Sequence, residues 1–501
     1  MYPIDFFYKA VRTCPDSPAV EEGEAVLSYA ELHREVQALA AALQELDPAP
    51  LSRVGICAGN HLEHLIAWLA ILAAGKCWVP LFKGNAPEEL VRAIDFVEAS
   101  LVIADDSMVE TVAQGRARIV PVGERAGGTA DLRRRHAGSG PQRHYPSLAE
   151  TQAIKFTGGT TGTPKGVMQS FRTWNTNIVT TMNAYSLRAG ERYLTAAPIT
   201  HGTSTYILPT LYVGGTVVLT DRPRPRQILE FLETGGITTL FVPPTVIYMM
   251  LEELGERPAN TPALRNLVYG AAPMQPDAIE RAQAAFGAVL ASTYGQTEAP
   301  QIATYIGPED LARPEKRASV GRATLLTSVE VMDEQGGILP PGEEGEVVIR
   351  GDLVMTGYWR QPEKTAETIR DGWLHTGDIG CFDEEGFLFL KGRLKDVVIT
   401  GGFNVYPADV EPVLVEHPDV SDAAIYGMPD AKWGEAVHAA VQLREGARVT
   451  EEELIAFAKQ RLGSVKAPKR VVFRAHLPRN AYGKLQKKVL VEQALAEERD
   501  K

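Results

Sequence analysis

Cysteine is nearly absent from this sequence. Of 501 residues only Cys14, Cys57, Cys77 and Cys381 are cysteine, and they are scattered with no C-x-x-C pair. That excludes a disulfide scaffold and points to a reducing compartment. Positive charge is also short: 51 Lys and Arg face 63 Asp and Glu, a net charge of −12. Without a basic stripe, a general nucleic-acid binder is excluded. The only dense basic run is Arg133-Arg134-Arg135, in a Gly/Pro-rich segment from Gly123 to Pro146 that reads as a solvated loop. Long apolar runs are missing too. The longest, Leu65 to Ala74, is too short to span a bilayer and reads as a buried helix. Met1 to Asp5 has no basic region followed by an apolar run, so no signal peptide is expected and a cytoplasmic protein is. There is no G-x-S-x-G elbow to support a hydrolase. His61 and His64 flank Glu63 but lack the H-E-x-x-H spacing, so they read as part of a surface helix rather than a metal site. No internal repeat stands out.

What is present is an ordinary globular composition, 45% hydrophobic and 23% charged, long enough for about two to four domains. Ser28 followed by Glu31 fits a capping box, and Leu32, Val36, Leu39 and Leu43 continue at helical spacing. Short apolar strands at Val54–Ala58 and Leu101–Ala104 alternate with helices near 61–74 and 87–98. Further strand candidates are Tyr193–Pro198, Gly215–Leu219, Thr238–Val242 and Leu267–Gly270, with a helix near 277–286. Such alternation predicts α/β layers with parallel pairing. From about 318 to 393 the pattern turns β-rich, with alternating segments at Val329–Asp333 and Gly345–Arg350. The last hundred residues mix short strands with an amphipathic helix near 450–462, a compact α+β unit.

The stretch with most chemical content is Thr157-Gly158-Gly159-Thr160-Thr161-Gly162-Thr163-Pro164-Lys165-Gly166, after the strand end Ala153–Phe156. Its glycines allow close backbone approach to a ligand. Its N–H groups, hydroxyls and the Lys165 ammonium suit phosphate oxygens. It is not a Walker loop, because Pro164 precedes the lysine and Gly166 follows it.

Read with the rest of the chain, this stretch resembles that of the adenylate-forming (AMP-binding) superfamily of acyl-CoA synthetases, peptide-synthetase adenylation domains and luciferases. The resemblance runs from about residue 25 to 490 and rests on motifs in the family's order. They are residues 157–166, Thr293 to Glu298, Gly345–Val347 through Gly357-Tyr358, His375 to Asp378, Gly392 to Asp396, Gly401 to Pro407, and Pro478 to Lys484. It implies a large multi-subdomain α/β domain, 1–394, with the β-rich subdomain inside it. A small mobile α+β domain, 396–501, turns about a hinge at Lys395.

The resemblance further implies attack of a carboxylate on the α-phosphorus of ATP, giving an acyl-adenylate and pyrophosphate. A thiol then takes the acyl group and AMP leaves. By the same resemblance Lys484 is the adenylation lysine. Thr157, Gly158, Gly159, Thr160, Thr161, Gly162 and Lys165 hold phosphates, although the family usually has Ser where Gly158 stands. Glu298 takes Mg²⁺, Tyr294 lies along the adenine, Thr297 contacts the α-phosphate, and Gly295, Gly270 and Ala271 also belong to the nucleotide site. Asp378 accepts from the ribose hydroxyls with Arg393 beside it. Gly401, Gly402 and Phe403 line a tunnel for the pantetheine arm of coenzyme A. His201 stands where acyl pocket and thiol tunnel meet, preceded by Thr200 rather than the frequent aromatic.

The expected activity is that of an acid–CoA ligase of the fatty or aromatic acid group. An enzyme loading a carrier-protein phosphopantetheine is the alternative, with a luciferase-like oxygenase and a non-catalytic nucleotide sensor further off. The segments expected around the acyl group contribute His201, with Tyr206 nearby, Val242, Ile247, Tyr248, Gly270, Ala271 and Ile302; their only charge is Glu298, with no Arg or Lys. An unpaired buried carboxylate is costly, so an aryl or medium-chain monocarboxylate is expected over malonate or acetate. A homodimer is compatible with these features.

Overall fold

The computed structural model describes residues 1–157, 164–430, 432–479 and 485–499. The chain divides into two compact units. One comprises Met1–Val329 and Ile349–Leu374, the other Glu330–Val348 and His375–Lys501.

The first unit is built on two sheets. The larger orders its nine strands Arg322–Ala323, Thr304–Ile306, Leu290–Tyr294, Asn266–Tyr269, Thr239–Val242, Arg192–Thr195, Thr216–Leu219, Pro18–Glu22 and Ala25–Ser28. Its centre is parallel, from Leu290–Tyr294 across to Pro18–Glu22. The second orders Gly357–Tyr358, Lys165–Ser170, Thr151–Thr157, Cys77–Pro80, Arg53–Cys57, Leu101–Ala104 and Arg118–Pro121. Both carry the helices that parallel crossovers require.

The helix Leu62–Ala73 shows why. It is apolar on nearly every side, and His64 through Ala73 are all buried, as expected for a helix enclosed by other elements. Trp68, Trp78 and Trp174 meet there, with ring centroids 5.4 to 6.0 Å apart. The helix Tyr29–Leu46 begins as its sequence predicts. Ser28 Oγ accepts from the Glu31 N–H at 3.2 Å and Glu31 Oε2 accepts from the Ser28 N–H at 2.9 Å. An N-terminal helix, Pro3–Thr13, buries Phe6 and Phe7 in the same core.

Two expectations are corrected. The Gly123–Pro146 segment is not simply a solvated loop, because it contains the helix Thr129–Arg135. Arg133 is drawn inward to 12% side-chain exposure, with Nε 2.6 Å from Glu35 and Nη2 2.5 Å from Glu63. Nor do His61 and His64 sit on a surface helix. His61 Nδ1 accepts from the His64 N–H at the helix start, and His61 Nε2 lies 2.7 Å from Asp105 Oδ1. His64 is fully buried against the Gly59 carbonyl at 2.8 Å, and burial pushes its pKa down to about 4. Among the described residues no group of three or more His, Cys, Asp or Glu is placed to hold a metal.

In the second unit the strand Gly434–Leu443 lies between Val420–Asp430, antiparallel, and Arg470–Phe473, parallel. The helices Pro407–Val415 and Glu451–Lys466 close its core over Val410, Leu414, Leu454 and Ala458. The regular turns of the second helix break at Gly463, where φ is +77°. The sequence pattern stops at the same place. Among the described residues no helix is long and apolar enough to cross a membrane.

Candidate active site

The Gly/Thr stretch starts from an antiparallel pair. Strand Thr151–Thr157 pairs with Lys165–Ser170, and Thr157 stands opposite Lys165. Gly158, Gly159, Thr160, Thr161 and Gly162 lie outside the described residues, as does Lys484. On its other side Lys165–Ser170 pairs with Gly357–Tyr358 in the register Tyr358↔Val167. That pairing carries Tyr358 and the short helix Pro362–Thr368 to the start of the Lys165 strand. Gln361 ties the two together, donating to the Pro164 carbonyl at 2.9 Å.

Lys364 is the result that sequence reasoning missed. Partial burial and the nearby Lys165 charge both lower its pKa. It also lies 5.9 Å from the Tyr358 ring centroid. The Tyr358 hydroxyl donates to Glu298 Oε1 at 2.8 Å, and burial and that carboxylate raise its pKa. Two lysines and a carboxylate therefore cluster near the start of the Lys165–Ser170 strand. Facing ammonium groups repel, and a polyanion between them would remove the repulsion. Lys364 could not have been found by spacing, since Lys165 is 199 positions away.

Thr297, next to Glu298, is held through its carbonyl by Gln169 Nε2 at 2.9 Å. Tyr294 ends the strand Leu290–Tyr294 and is 8% exposed. Gly295 cannot carry a side chain, because a Cβ would lie 2.7 Å from the Gln301 backbone and 2.8 Å from the Ala299 carbonyl. Gly270 follows the strand Asn266–Tyr269, and Ala271 after it takes a left-handed φ of +68°.

His201 sits in a π-turn, Ile199–Thr203, with non-helical torsions of φ −107° and ψ −145°. Its Nδ1 lies 2.8 Å from Thr200 Oγ1, and its ring meets Phe82 edge-on at 4.9 Å. Burial, with Lys155 adding to it, pushes its pKa down to about 4, so the imidazole is neutral at pH 7. At the next residue, a Cβ on Gly202 would come 2.4 Å from Gln301 Oε1 and 2.9 Å from Phe241. Behind them Tyr193, Tyr206 and Phe241 form a stacked column with centroids 5.3 Å apart. Lys155 corrects the expectation that no cation comes near. Although it lies on the strand Thr151–Thr157, its Nζ reaches the His201 carbonyl at 3.3 Å.

The second unit holds its own cluster. Asp378 and Arg393 stand opposite each other on the paired strands Trp373–Phe382 and Leu388–Arg393, with Arg393 Nε 2.7 Å from Asp378 Oδ1. Arg393 also donates to the Thr376 carbonyl at 3.1 Å, and Thr376 Oγ1 accepts from the Asp378 N–H at 3.0 Å. Asp378 is 6% exposed. Lys395 is exposed in the 3-10 turn Leu394–Asp396 that follows.

Gly401 and Gly402 form the two-residue turn between strands Val398–Thr400 and Phe403–Val405, with φ of +57° and +83°. Positive φ at both positions is what a tight hairpin of this hand requires, and glycine meets it without strain. Phe403 beyond it is 60% exposed, and Trp433, also exposed, accepts the Gly401 N–H at its carbonyl at 2.8 Å.

With this geometry in hand, the comparisons with known proteins agree. The family described as AMP-binding enzyme matches residues 7–359, and the AMP-binding enzyme C-terminal domain matches residues 409–484. The chain belongs to the AMP-binding enzyme family. It is 36% identical over 485 residues to a feruloyl-CoA synthase of Amycolatopsis sp, covering 96% of both chains. It is 39% identical over 345 residues to the medium/long-chain-fatty-acid–CoA ligase FadD8 of Mycobacterium tuberculosis, covering 67% of this chain and 60% of that one. Among solved structures, the amide bond synthetase McbA from Marinactinospora thermotolerans superposes with a TM-score of 0.90 at 33% identity, over 98% of this chain and all of that one.

Proposed function

We propose that this chain, an ATP-dependent acid–CoA ligase by class, activates a hydrophobic aryl or medium-chain monocarboxylate and passes it to the thiol of coenzyme A. The observation that carries the substrate reading is the wall beside His201. It consists of Phe82, Phe241, Gly202 and Gly270, with a neutral imidazole, and the fully buried rings of Tyr206 and Tyr193 stack behind Phe241. An apolar acyl group gains about 0.8 kcal/mol per CH₂ buried against such a wall. The similarity to a feruloyl-CoA synthase and a fatty-acid ligase supports the same substrate class.

In this proposal Lys165, Lys364 and the Gly/Thr stretch hold the β- and γ-phosphates. The paired ammonium groups fit a polyanion. Glu298, oriented by Tyr358, would hold Mg²⁺, which neutralises phosphate charge when bound. Tyr294 lies along the adenine, Thr297 contacts the α-phosphate, and Gly295, Gly270 and Ala271 also belong to the nucleotide site. Asp378, fixed by Arg393, accepts from the ribose hydroxyls. Lys484 brings a cation to the carboxylate as it attacks. Lys395 is the hinge between a 1–394 domain and a 396–501 domain. The Gly401-Gly402-Phe403 hairpin serves the pantetheine arm. A cytoplasmic location and a homodimer complete the proposal.

Pyrophosphate release and thioester formation with benzoate- and cinnamate-type acids, C6–C10 acids, acetate and malonate test it. Coenzyme A, a phosphopantetheine carrier protein and an amine serve as alternative acceptors. The expected result is a kcat/KM highest for an aryl or medium-chain acid with coenzyme A. Preference for malonate or acetate overturns the substrate class, and transfer only to carrier protein or amine overturns the acceptor.

A further inference from the structure

The buried ammonium of Lys155 takes part in none of these roles. It leaves its strand two residues before the Gly/Thr stretch and passes between two indoles, 5.0 Å from the Trp78 ring centroid and 5.3 Å from that of Trp174. There it donates to Ser204 Oγ at 3.0 Å and to the His201 carbonyl at 3.3 Å. The Ser204 hydroxyl donates to the same carbonyl at 2.8 Å. Lys155 is 8% exposed and Ser204 is fully buried. Among the described residues no carboxylate is paired with this lysine, and burial pushes its pKa down to about 7.

A lysine so placed is expensive. Its desolvation is not repaid by a counter-ion, and an apolar side chain of similar length would fill the space between the indoles without that cost. Groups kept in such surroundings concentrate where they serve a reaction. Its neighbour is the turn that carries His201. That turn has unusual torsions, and at Gly202 it lacks a side chain that could stiffen it. Its rigidity has to come from what holds its carbonyl groups.

We propose that Lys155 is a positioning residue for acyl transfer, fixing the His201 carbonyl through a closed triangle with Ser204. This rests on the proposed placement of His201 at the thioester step. As an ammonium, Lys155 donates to both partners and leaves the Ser204 hydroxyl aimed at the His201 carbonyl. As a neutral amine it still has two N–H donors, but the Ser204 O–H can turn to its lone pair and the remaining bond to the carbonyl is no longer charge-assisted, so the carbonyl is held more weakly. The turn is therefore better held in the charged state. Among the described residues, His201 is the titratable group that faces Lys155. Tyr193, whose hydroxyl reaches the Thr203 carbonyl at 3.4 Å, also borders the turn, and burial raises its pKa.

The test compares wild type with Lys155→Met, Lys155→Arg and Ser204→Ala in two assays. One is acid-dependent ATP–pyrophosphate exchange. The other is conversion of supplied acyl-adenylate and coenzyme A to thioester between pH 6 and pH 9. Taking the ratio of wild type to Lys155→Met cancels the ionisation of the coenzyme A thiol. That ratio is expected to be about tenfold at low pH and to fall through about pH 7 to about twofold, while exchange changes less than about threefold. Lys155→Arg keeps its charge and should show no such transition relative to Lys155→Met. The ratio of Ser204→Ala to Lys155→Met should lack this transition; if Lys155→Met fails to fold, the ratio of wild type to Ser204→Ala decides alone, and a pH-independent ratio overturns the proposal. A pH-independent ratio, or equal loss in exchange and thioester formation, also overturns it. If no acid yields a coenzyme A thioester at any pH, the proposed function fails. If thioester forms normally and the ratio stays flat, only the Lys155 proposal fails.

Discussion

Tyr358 donates its phenolic hydroxyl to Glu298 Oε1 at 2.8 Å, joining two motifs 60 residues apart. The bond orients the carboxylate proposed for Mg²⁺, and such supporting contacts matter to metal affinity. Tyr358→Phe is expected to raise the Mg²⁺ concentration needed for half-maximal ATP–pyrophosphate exchange by about tenfold, with little change in melting temperature. An unchanged Mg²⁺ dependence would mean that the hydroxyl serves packing only.

Lys364→Met removes one of two facing cations. The KM for ATP should rise by about tenfold, roughly the 1.4 kcal/mol expected for one charge-assisted contact. The free enzyme should not lose stability, because Lys165 is relieved of a like charge. A lower melting temperature with KM unchanged would assign Lys364 to the fold instead.

Lys484→Ala separates the half-reactions. Formation of acyl-adenylate should fall by about a hundredfold or more, while conversion of supplied adenylate to thioester continues. Equal loss in both would make Lys484 structural.

The Gly401-Gly402 turn allows a controlled substitution. A Cβ at Gly401 meets Trp433 at 2.8 Å, whereas none would meet an atom within 4 Å at Gly402. Gly402→Asn tolerates the positive φ and introduces a small side chain, while Gly402→Leu adds bulk. Both should preserve exchange, and Leu should depress thioester formation far more than Asn. Similar losses in the two variants would point to backbone strain rather than a blocked pantetheine path.

Two buried groups give the stability a defined pH dependence. His201 is held down to about 4, below the ordinary value of about 6.5. The unfolded chain binds its proton first, so stability falls as pH drops from about 6.5 to about 4. Lys155, held down to about 7, acts in the other window. The folded protein gives up that proton before the unfolded chain does, so stability recovers as pH rises from about 7 towards about 10.4. Lys155→Met should therefore raise the melting temperature more at pH 6 than at pH 9, even where it slows acyl transfer. A constant difference across that range would rule out a charged, buried Lys155.

Features carried by local sequence were legible. The Ser28–Glu31 capping box, the enclosed helix Leu62–Ala73 and the parallel strands were read from neighbours a few residues apart, and all are present. The errors arose where the deciding partner is distant. Arg133 looked solvated until Glu35 and Glu63 came to it. His64 looked exposed until the core closed over it. Lys155 and Lys364 were passed over because the first lies before the Gly/Thr stretch and the second on a helix with an ordinary surface pattern. The motifs gave the ligase class, since they appear in the family's order. They were silent on which side chains stand between them.

Gly202, Gly270 and Gly295 bear on how this enzyme can diversify. A methyl group at Gly202 or Gly295 collides with Gln301 at 2.4 to 2.9 Å, and at Gly270 it crowds Thr293 and Phe241 at 3.2 to 3.3 Å. Change is closed off at Gly295, where the colliding atoms are backbone, while Gly202 and Gly270 accept a methyl group only if Gln301 or Phe241 moves. Room for other acids is gained more directly by trimming Phe241, which stacks on Tyr206 beside Gly202. A mutant library centred on Phe241 therefore samples the acyl side with less backbone strain than one centred on Gly295.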